Sequence, residues 1–253
     1  MTVKIYINTV GKVGSAMLLE NYVKNNYQRY YETDDSFNEY LNTTQNAVLH
    51  GHSLEYLKRA VEVWGVHNDS NEKRFIITGW REVLSASISA FFQNISNSDW
   101  DLWYYDNPEK VRNSSPNDLI KFFNNKVAIW LDQAVLPFPL RFNETIRCPP
   151  CNPDDFFNKG IREYAANGFV ALFYRLEDFD VSADRILMRT GVSRFVSAHN
   201  TADSKWYSDS YSNFRDVYVP SEDLLYKCLY SDAMSMFYSI EGIKSFYYKW
   251  QSR

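Results

Sequence analysis

The chain opens on an apolar run, Val3-Lys4-Ile5-Tyr6-Ile7-Asn8, followed at once by Thr9-Val10-Gly11-Lys12-Val13-Gly14-Ser15. This juxtaposition constrains the fold more than any other stretch. A β-branched, aromatic run without regular polar alternation marks a buried strand. Two glycines and a lysine then break the strand, and small residues open a helix. Such a turn presents backbone N–H groups at a helix N-terminus, the dipole adds to the attraction, and glycine lets an anion approach closely. A phosphate or sulfate group is therefore the expected guest.

The alternation repeats downstream. Ser15–Asn26 reads as a helix with Met17, Leu18, Tyr22 and Val23 as apolar positions, and Ala47–His50 as a second strand. Ser53–Val63 reads as a helix capped by Ser53, with Leu54, Leu57 and Val61 on one face. Arg74–Gly79 is a third strand and Glu82–Asn94 a third helix. Three successive β-α units predict a parallel sheet with right-handed crossovers, whose ligands bind beyond the C-terminal strand ends. Further on, Pro116–Ala134 reads as a long helix, Pro137–Pro153 as a proline-bearing loop and Phe169–Tyr174 as an apolar strand. The last third reads as helical, clearest at Glu222–Leu229 and Ile240–Gln251, with Thr201–Asn213 as an ordered loop. With no internal repeat and no low-complexity linker, 253 residues suit one large domain, 1–253.

A formal charge of −4 argues against a long polyanion, so no nucleic acid is expected as partner, while a small anionic cofactor held by local cations remains compatible. No stretch approaches the roughly 18 apolar residues that span a bilayer. Asn8, Thr9 and Gly11 interrupt any leader-like run, so a cytoplasmic location is the expectation. Three cysteines agree with a reducing compartment. Cys148-Pro-Pro-Cys151 has redox or half-zinc spacing, but only Cys228 remains elsewhere and no histidine lies nearby, so it reads as an ordinary loop without metal. The aromatic share of 17% is high; most of these rings belong to core and surface, and some are expected to line a pocket.

Three constellations carry chemistry. The turn at Gly11–Ser15 fails the ATPase pattern Gly-x-x-x-x-Gly-Lys-Ser/Thr, since Tyr6 stands where the first glycine belongs and Lys12 is not followed directly by Ser or Thr. Beyond the third strand, Arg81, Ser85 and Ser89 recur every four residues and share one helical stripe, while Leu84, Ile88, Phe91 and Ile95 form the apolar one. A guanidinium at the helix start and a hydroxyl two turns on can both face an anion, and the guanidinium fork matches two phosphate oxygens. Finally, His50 and His52 lie two apart at the end of the second strand, on one side if the strand continues, where an imidazole can take a hydroxyl proton near neutral pH.

The order Lys12-Val13-Gly14-Ser15 resembles the 5′-phosphosulfate loop of sulfotransferases that use 3′-phosphoadenosine 5′-phosphosulfate (PAPS), and Arg81 with Ser89 resembles the same family's second signature. The resemblance implies that Lys12 lies beside the bridging oxygen between phosphate and sulfate, that Val13, Gly14, Ser15 and Ala16 line the loop, and that Arg81 and Ser89 hold the 3′-phosphate. Leu49-His50-Gly51-His52 resembles the His-Gly-His segment of heparan-type 2-O-sulfotransferases, which implies His52 as base, with His50 orienting it or touching the acceptor. Ser204-Lys205-Trp206-Tyr207-Ser208 resembles the Asn-Lys-Trp-Tyr-Ser signature of a bacterial family of capsular polysaccharide synthesis proteins, and Glu177-Asp178-Phe179 a strand end common in sulfotransferases. There Lys205 could meet a phosphate and Trp206 stack on adenine, or both could pack the loop onto the core. Two positions depart from the pattern: Glu82-Val83 replaces Asp-Pro, and Ala16 replaces a threonine.

The resemblance implies an α/β, P-loop NTPase-like three-layer fold with a central mainly parallel sheet and a helical C-terminal part. It implies a PAPS-dependent sulfotransferase releasing 3′-phosphoadenosine 5′-phosphate (PAP), with no metal required. The capsular resemblance implies a sugar hydroxyl as acceptor, while the acidic balance and abundant rings fit a small neutral or cationic natural product at least as well. A small-molecule kinase and a non-catalytic nucleotide- or carbohydrate-binding module are the other readings; oligomeric state is not legible.

Overall fold

The computed structural model describes residues 1–9, 15–66, 71–149, 153–156, 160–166, 168–195 and 205–252. Contacts divide the chain into two compact units, Met1–Arg81 with Pro139–His199, and Glu82–Phe138 with Asn200–Arg253. No helix among the described residues is long and apolar enough to cross a membrane.

The first unit is an α/β sandwich. Its strands are β1 (Thr2–Asn8), β2 (Gln28–Tyr30), β3 (Ala47–Gly51), β4 (Glu72–Trp80), β5 (Ile161–Ala166) and β6 (Phe169–Arg175), in the order β2-β3-β1-β4-β6-β5. All neighbours are parallel except β5, which pairs antiparallel with β6 at one edge. From β1 the chain leads to β2 and β3 on one side, whereas beyond β4 it returns through β6 on the other. The order reverses beside β1, the position at which doubly wound sheets bind ligands.

Helices α1 (Ser15–Lys24), α2 (Asp34–Asn42) and α3 (Leu54–Val66) follow the first three strands. Alternate strand residues point to opposite faces. Ile5, Ile7, Val48, Phe75, Ile77 and Leu172 pack with Leu18 and Tyr22 of α1 and with Ala183, Ile186 and Leu187 of a later helix, Phe179–Thr190. Tyr6 and Tyr30 point the other way, meeting Tyr40 of α2 edge-on at 6.5 and 5.8 Å, and Tyr40 in turn meets Trp64 of α3 at 6.3 Å. The expected three-layer α/β arrangement with a mainly parallel sheet is thus present. Lys4, in the opening strand, is buried and satisfied by the Leu41 carbonyl at 2.6 Å and by Glu72 at 3.3 Å.

The second unit is helical and takes two stretches of chain. It contains α4 (Val83–Asn94), α5 (Pro108–Asn113) and α6 (Pro116–Trp130), the last running on into a π-helical turn, Leu131–Val135. After α7 (Phe138–Ile146) and α8 (Phe179–Thr190) come α9 (Ser208–Val217), α10 (Glu222–Leu229), α11 (Asp232–Ser235) and α12 (Ile240–Gln251). Phe91 is the hub of this unit, with Phe92, Trp103, Phe123 and Phe214 all within 6.0 Å ring to ring. Buried Glu82 caps α4, accepting from the amides of Leu84 at 2.7 Å and Ser85 at 2.9 Å.

Two sequence expectations need correction. Pro137–Pro153 contains helix α7, because Pro139 falls in a first helical turn, where its missing N–H costs nothing, and Phe138, Phe142 and Ile146 recur every four residues on a buried face. Thr201–Asn213 contains the first turns of α9, whose buried Ser210 and Phe214 have the same spacing. Helix α8 ends on Gly191 at φ 78°, the left-handed conformation that glycine adopts without strain.

Phe142 meets Phe173 at 5.8 Å, whereas Leu140 on the same helix is exposed. Phe142→Ala should therefore lower unfolding free energy by about 3–5 kcal/mol and Leu140→Ala by less than about 0.5 kcal/mol in urea titrations. Equal losses would show that α7 does not bury the face assigned to it.

Candidate functional site

The C-terminal ends of β1, β3 and β4 lie side by side, because Asn8 pairs with Gly51 and Ile7 with Ile77. Thr9 extends the β1–β3 ladder, its amide donating to the Gly51 carbonyl at 3.2 Å. Beyond it, Val10 to Gly14, and with them the site candidates Lys12, Val13 and Gly14, lie outside the described residues. Ser15 is buried at the start of α1, and Ala16 is exposed in its first turn. At the root of the turn, Asn8 Oδ1 and Thr9 Oγ1 are buried without a hydrogen-bond partner.

The structure brings both histidines to this edge. His52 is exposed, and its Nδ1 lies 2.5 Å from the Thr9 carbonyl oxygen. A carbonyl only accepts, so Nδ1 is the donor in this contact, and in the neutral ring that arrangement leaves the lone pair on Nε2. His50 is half-buried, its Nε2 3.0 Å from Ser15 Oγ, with its ring 5.1 Å from that of His52. Burial, then the neighbouring charges of His52 and Arg29, push the His50 pKa down to about 4. His50 therefore stays neutral down to about pH 4.

Glu32, which sequence reasoning missed, fixes this corner. Its carboxylate accepts from the backbone amides of His52 at 2.8 Å and Ser53 at 3.1 Å, and from the Tyr6 hydroxyl at 2.5 Å. Asn8 Nδ2 donates to the Ser53 carbonyl at 3.0 Å. The carboxylate can sit there because residue 51 is glycine: a Cβ on Gly51 would lie 1.9 Å from Glu32 Cδ. The Tyr6 phenol is pushed far up, by burial first and the Glu32 charge second, and so remains a donor. Ser53 caps α3 as expected, its Oγ accepting from the Glu55 amide at 3.2 Å. No short-range sequence signal marks Glu32; its partners stand about twenty residues away and meet it only through the β2–β3 pairing.

Arg81 follows β4, half-buried, and makes no ion pair among the described residues. In the second unit, Ser85 and Ser89 are the positions of α4 between Val83 and Phe92 that keep some exposure, as the four-residue spacing predicts. Ser85 Oγ is committed to Glu82, whereas Ser89 Oγ has no hydrogen bond among the described residues. Lys205 and Trp206 are half-exposed. The Trp206 ring carries the Arg112 guanidinium at 5.8 Å and meets Tyr207 edge-on at 5.4 Å, while its carbonyl accepts from Arg112 Nε at 3.1 Å. Ser204 lies outside the described residues, as does Cys151; Cys148 is buried.

Two predictions follow from this geometry. Because folded His50 resists a proton that the unfolded chain accepts at about pH 6.5, its contribution to stability is complete above that pH and is lost on acidification toward about pH 4, by up to roughly 3 kcal/mol. Comparing urea stability of the parent and His50→Asn across this window isolates that loss, because the carboxylates titrate alike in both; parallel curves would refute it. Gly51→Ala should displace Glu32 and loosen His52, reducing the protection of the His52 and Ser53 amides from hydrogen exchange at least tenfold, and unchanged protection would remove Glu32 from this role.

No family model and no curated protein matches the chain. Among solved structures, a de novo designed protein of P-loop NTPase fold aligns with it at 15% identity and a TM-score of 0.27, covering 38% of this chain and 72% of the design, a likeness too slight to carry an argument.

Proposed function

We propose that the chain is a sulfotransferase that moves a sulfuryl group from PAPS to an acceptor hydroxyl, with His52 as the base. The observation that carries this reading is the contact between His52 Nδ1 and the Thr9 carbonyl. Its Nδ1 is held by the Thr9 carbonyl, so the exposed ring stands beyond β3 and is tied to the residue that ends β1, the strand whose sequence runs on into Gly11-Lys12-Val13-Gly14-Ser15. An exposed imidazole held in this way suits proton removal from a hydroxyl that attacks an anionic donor, which the sequence pattern of that run favours.

The bound donor supplies an activated sulfuryl group. His52 takes the acceptor's proton at Nε2 while the acceptor oxygen forms its bond to sulfur in line with the sulfur–oxygen bond that breaks. By the sequence resemblance, Lys12 and the amides of Gly14, Ser15 and Ala16 face the charge that grows on the departing phosphate, and preorganised donors of that kind supply much of the rate. Arg81, with a guanidinium unpaired among the described residues, serves the 3′-phosphate. The partnerless Asn8 Oδ1 and Thr9 Oγ1 fit a polar guest at the root of the turn. The roles of Ser89, Lys205 and Trp206 rest on the sequence resemblance. The acceptor in this reading is a carbohydrate or another small hydroxylated molecule.

Calorimetric titration with PAP tests the donor. Micromolar binding is expected, weakened at least tenfold in Arg81→Ala; an absence of binding, or tighter binding of ATP, would transfer the site to kinase chemistry or remove it. With radiolabelled PAPS and an acceptor panel, His52→Ala should keep PAP affinity within about twofold and lose turnover by roughly 10²–10⁴-fold, the usual contribution of a general base. Retained turnover would take the proton-accepting role away from His52.

A further inference from the structure

The edge strand β2 places two exposed side chains beside the histidines. Arg29 pairs with Val48 and Tyr30 with Leu49, and Tyr31 follows the last paired residue of β2 as His50 follows Leu49 in β3. Paired residues of a parallel sheet share a face. Val48 lies in the core beneath α1, and His50 meets Ser15 of α1, so Arg29 and Tyr31 belong to that same face. The Arg29 guanidinium stacks over the Tyr31 ring at 4.8 Å. Both residues are exposed, Tyr31 by 53%.

Arg59, Arg189 and Arg194 of the same unit are each paired with a carboxylate, whereas Arg29 makes no ion pair among the described residues. Its guanidinium lies over the Tyr31 ring, and the Tyr31 backbone is tied down locally. The Tyr31 amide donates to Ser36 Oγ at 2.9 Å, and the Tyr31 carbonyl accepts from the Thr33 amide at 3.0 Å. The charge of Arg29 also reaches His50, where it is one of the causes keeping that imidazole neutral. An oriented guanidinium with open donors recognises a carboxylate or a sulfate ester through paired hydrogen bonds, and it repels a cation. The exposed ring edge offers an apolar surface to the body of the same molecule.

We infer that Arg29 and Tyr31 form the acceptor subsite, and that the acceptor carries an anionic group, a carboxylate or a sulfate ester, near the hydroxyl it presents to His52. This rests on the sulfotransferase reading for the word acceptor, but the anion subsite itself does not. It also sets aside the small neutral or cationic acceptor that the acidic balance left open beside a sugar hydroxyl.

The test uses the full chain without nucleotide, so that it stands whether or not PAP binds. Three probes are titrated into ¹⁵N-labelled protein: trigalacturonate for the carboxylate, maltotriose sulfated at its primary hydroxyls for the sulfate ester, and the trigalacturonate methyl ester as the uncharged control. At least one charged probe should bind about tenfold or more tightly than the ester and shift the amides of Arg29, Tyr31 and His50. Arg29→Gln should abolish that difference and Arg29→Lys keep part of it, while Tyr31→Ala should weaken charged and uncharged probes together. The more tightly bound charged arm identifies the anion. Equal binding of the ester, no binding of either charged probe, or charged-probe affinity unaltered in Arg29→Gln would overturn the proposal. Loss of PAP binding with these results intact would overturn the sulfotransferase reading alone.

Discussion

Strand β1 is hydrogen-bonded along both edges and covered on both faces, and the rest of the first unit is arranged around that confinement. Its pattern of burial runs without a break from Lys4 to Asn8. A strand so enclosed has no freedom in register, since a shift by one residue would move Ile5 and Ile7 out of the α1 face and Tyr6 out of the α2–α3 face. Asn8 and Thr9 at its C-terminal end are therefore placed by the core. The Thr9 carbonyl that orients His52 is a backbone atom at the end of this strand, and the Tyr6 hydroxyl that meets Glu32 is anchored within it. Precision at the edge is inherited from packing in the middle.

The aromatic residues divide between two tasks. In the second unit they form the core itself: Phe91, Phe123, Phe214 and Tyr218 contact one another, and Trp250 closes the group against Tyr218 at 6.3 Å. These rings bury large areas with few rotatable bonds, which lets short helices share a single core. In the first unit Tyr6, Tyr30 and Tyr40 fill the α2–α3 face, where long side chains span the gap between sheet and helices. Tyr31 falls in neither group. It sits one residue beyond the last strand pair, outside any core, under a guanidinium. An aromatic residue that contributes little to packing but is locally well held stands out for that reason.

Legibility in the sequence followed the length over which a physical signal repeats. Strands β1, β3, β4 and β6 are readable as apolar runs because each is buried on both faces. The four-residue recurrence of Ser85 and Ser89 is readable because α4 is buried on every other side. Strand β2 has three residues with one buried, and β5 alternates at an antiparallel edge, so neither produces a run long enough to separate from a loop. The histidine pair is visible as a motif. The atoms that give each histidine its state are not: Thr9 acts through its carbonyl, Ser15 through a hydroxyl thirty-five residues from its partner, and Glu32 through a pairing between strands. A sequence displays side chains in order, whereas a site is made of backbone groups and distant carboxylates that only the fold collects.

That distinction also decides how two adjacent histidines can do different work. Both face one edge, with rings 5.1 Å apart, and if both were protonated their charges would repel at short range. The fold avoids this by treating them unequally. His50 is drawn in against Ser15, and burial strips its charged form of solvation, which holds it neutral down to about pH 4. His52 remains at the surface, with one nitrogen tied to Thr9 and the other open. A neutral neighbour lowers the cost of placing a proton on His52 during the proposed step, so a half-buried His50 assists an exposed base without exchanging a proton itself. Glu32 completes the asymmetry from the backbone side, since its bonds to the amides of His52 and Ser53 hold the main chain and leave both imidazoles uncommitted to a carboxylate. A carboxylate hydrogen-bonded to the His52 ring would favour the imidazolium; one bonded to its amide fixes position while the ring stays free to take a proton.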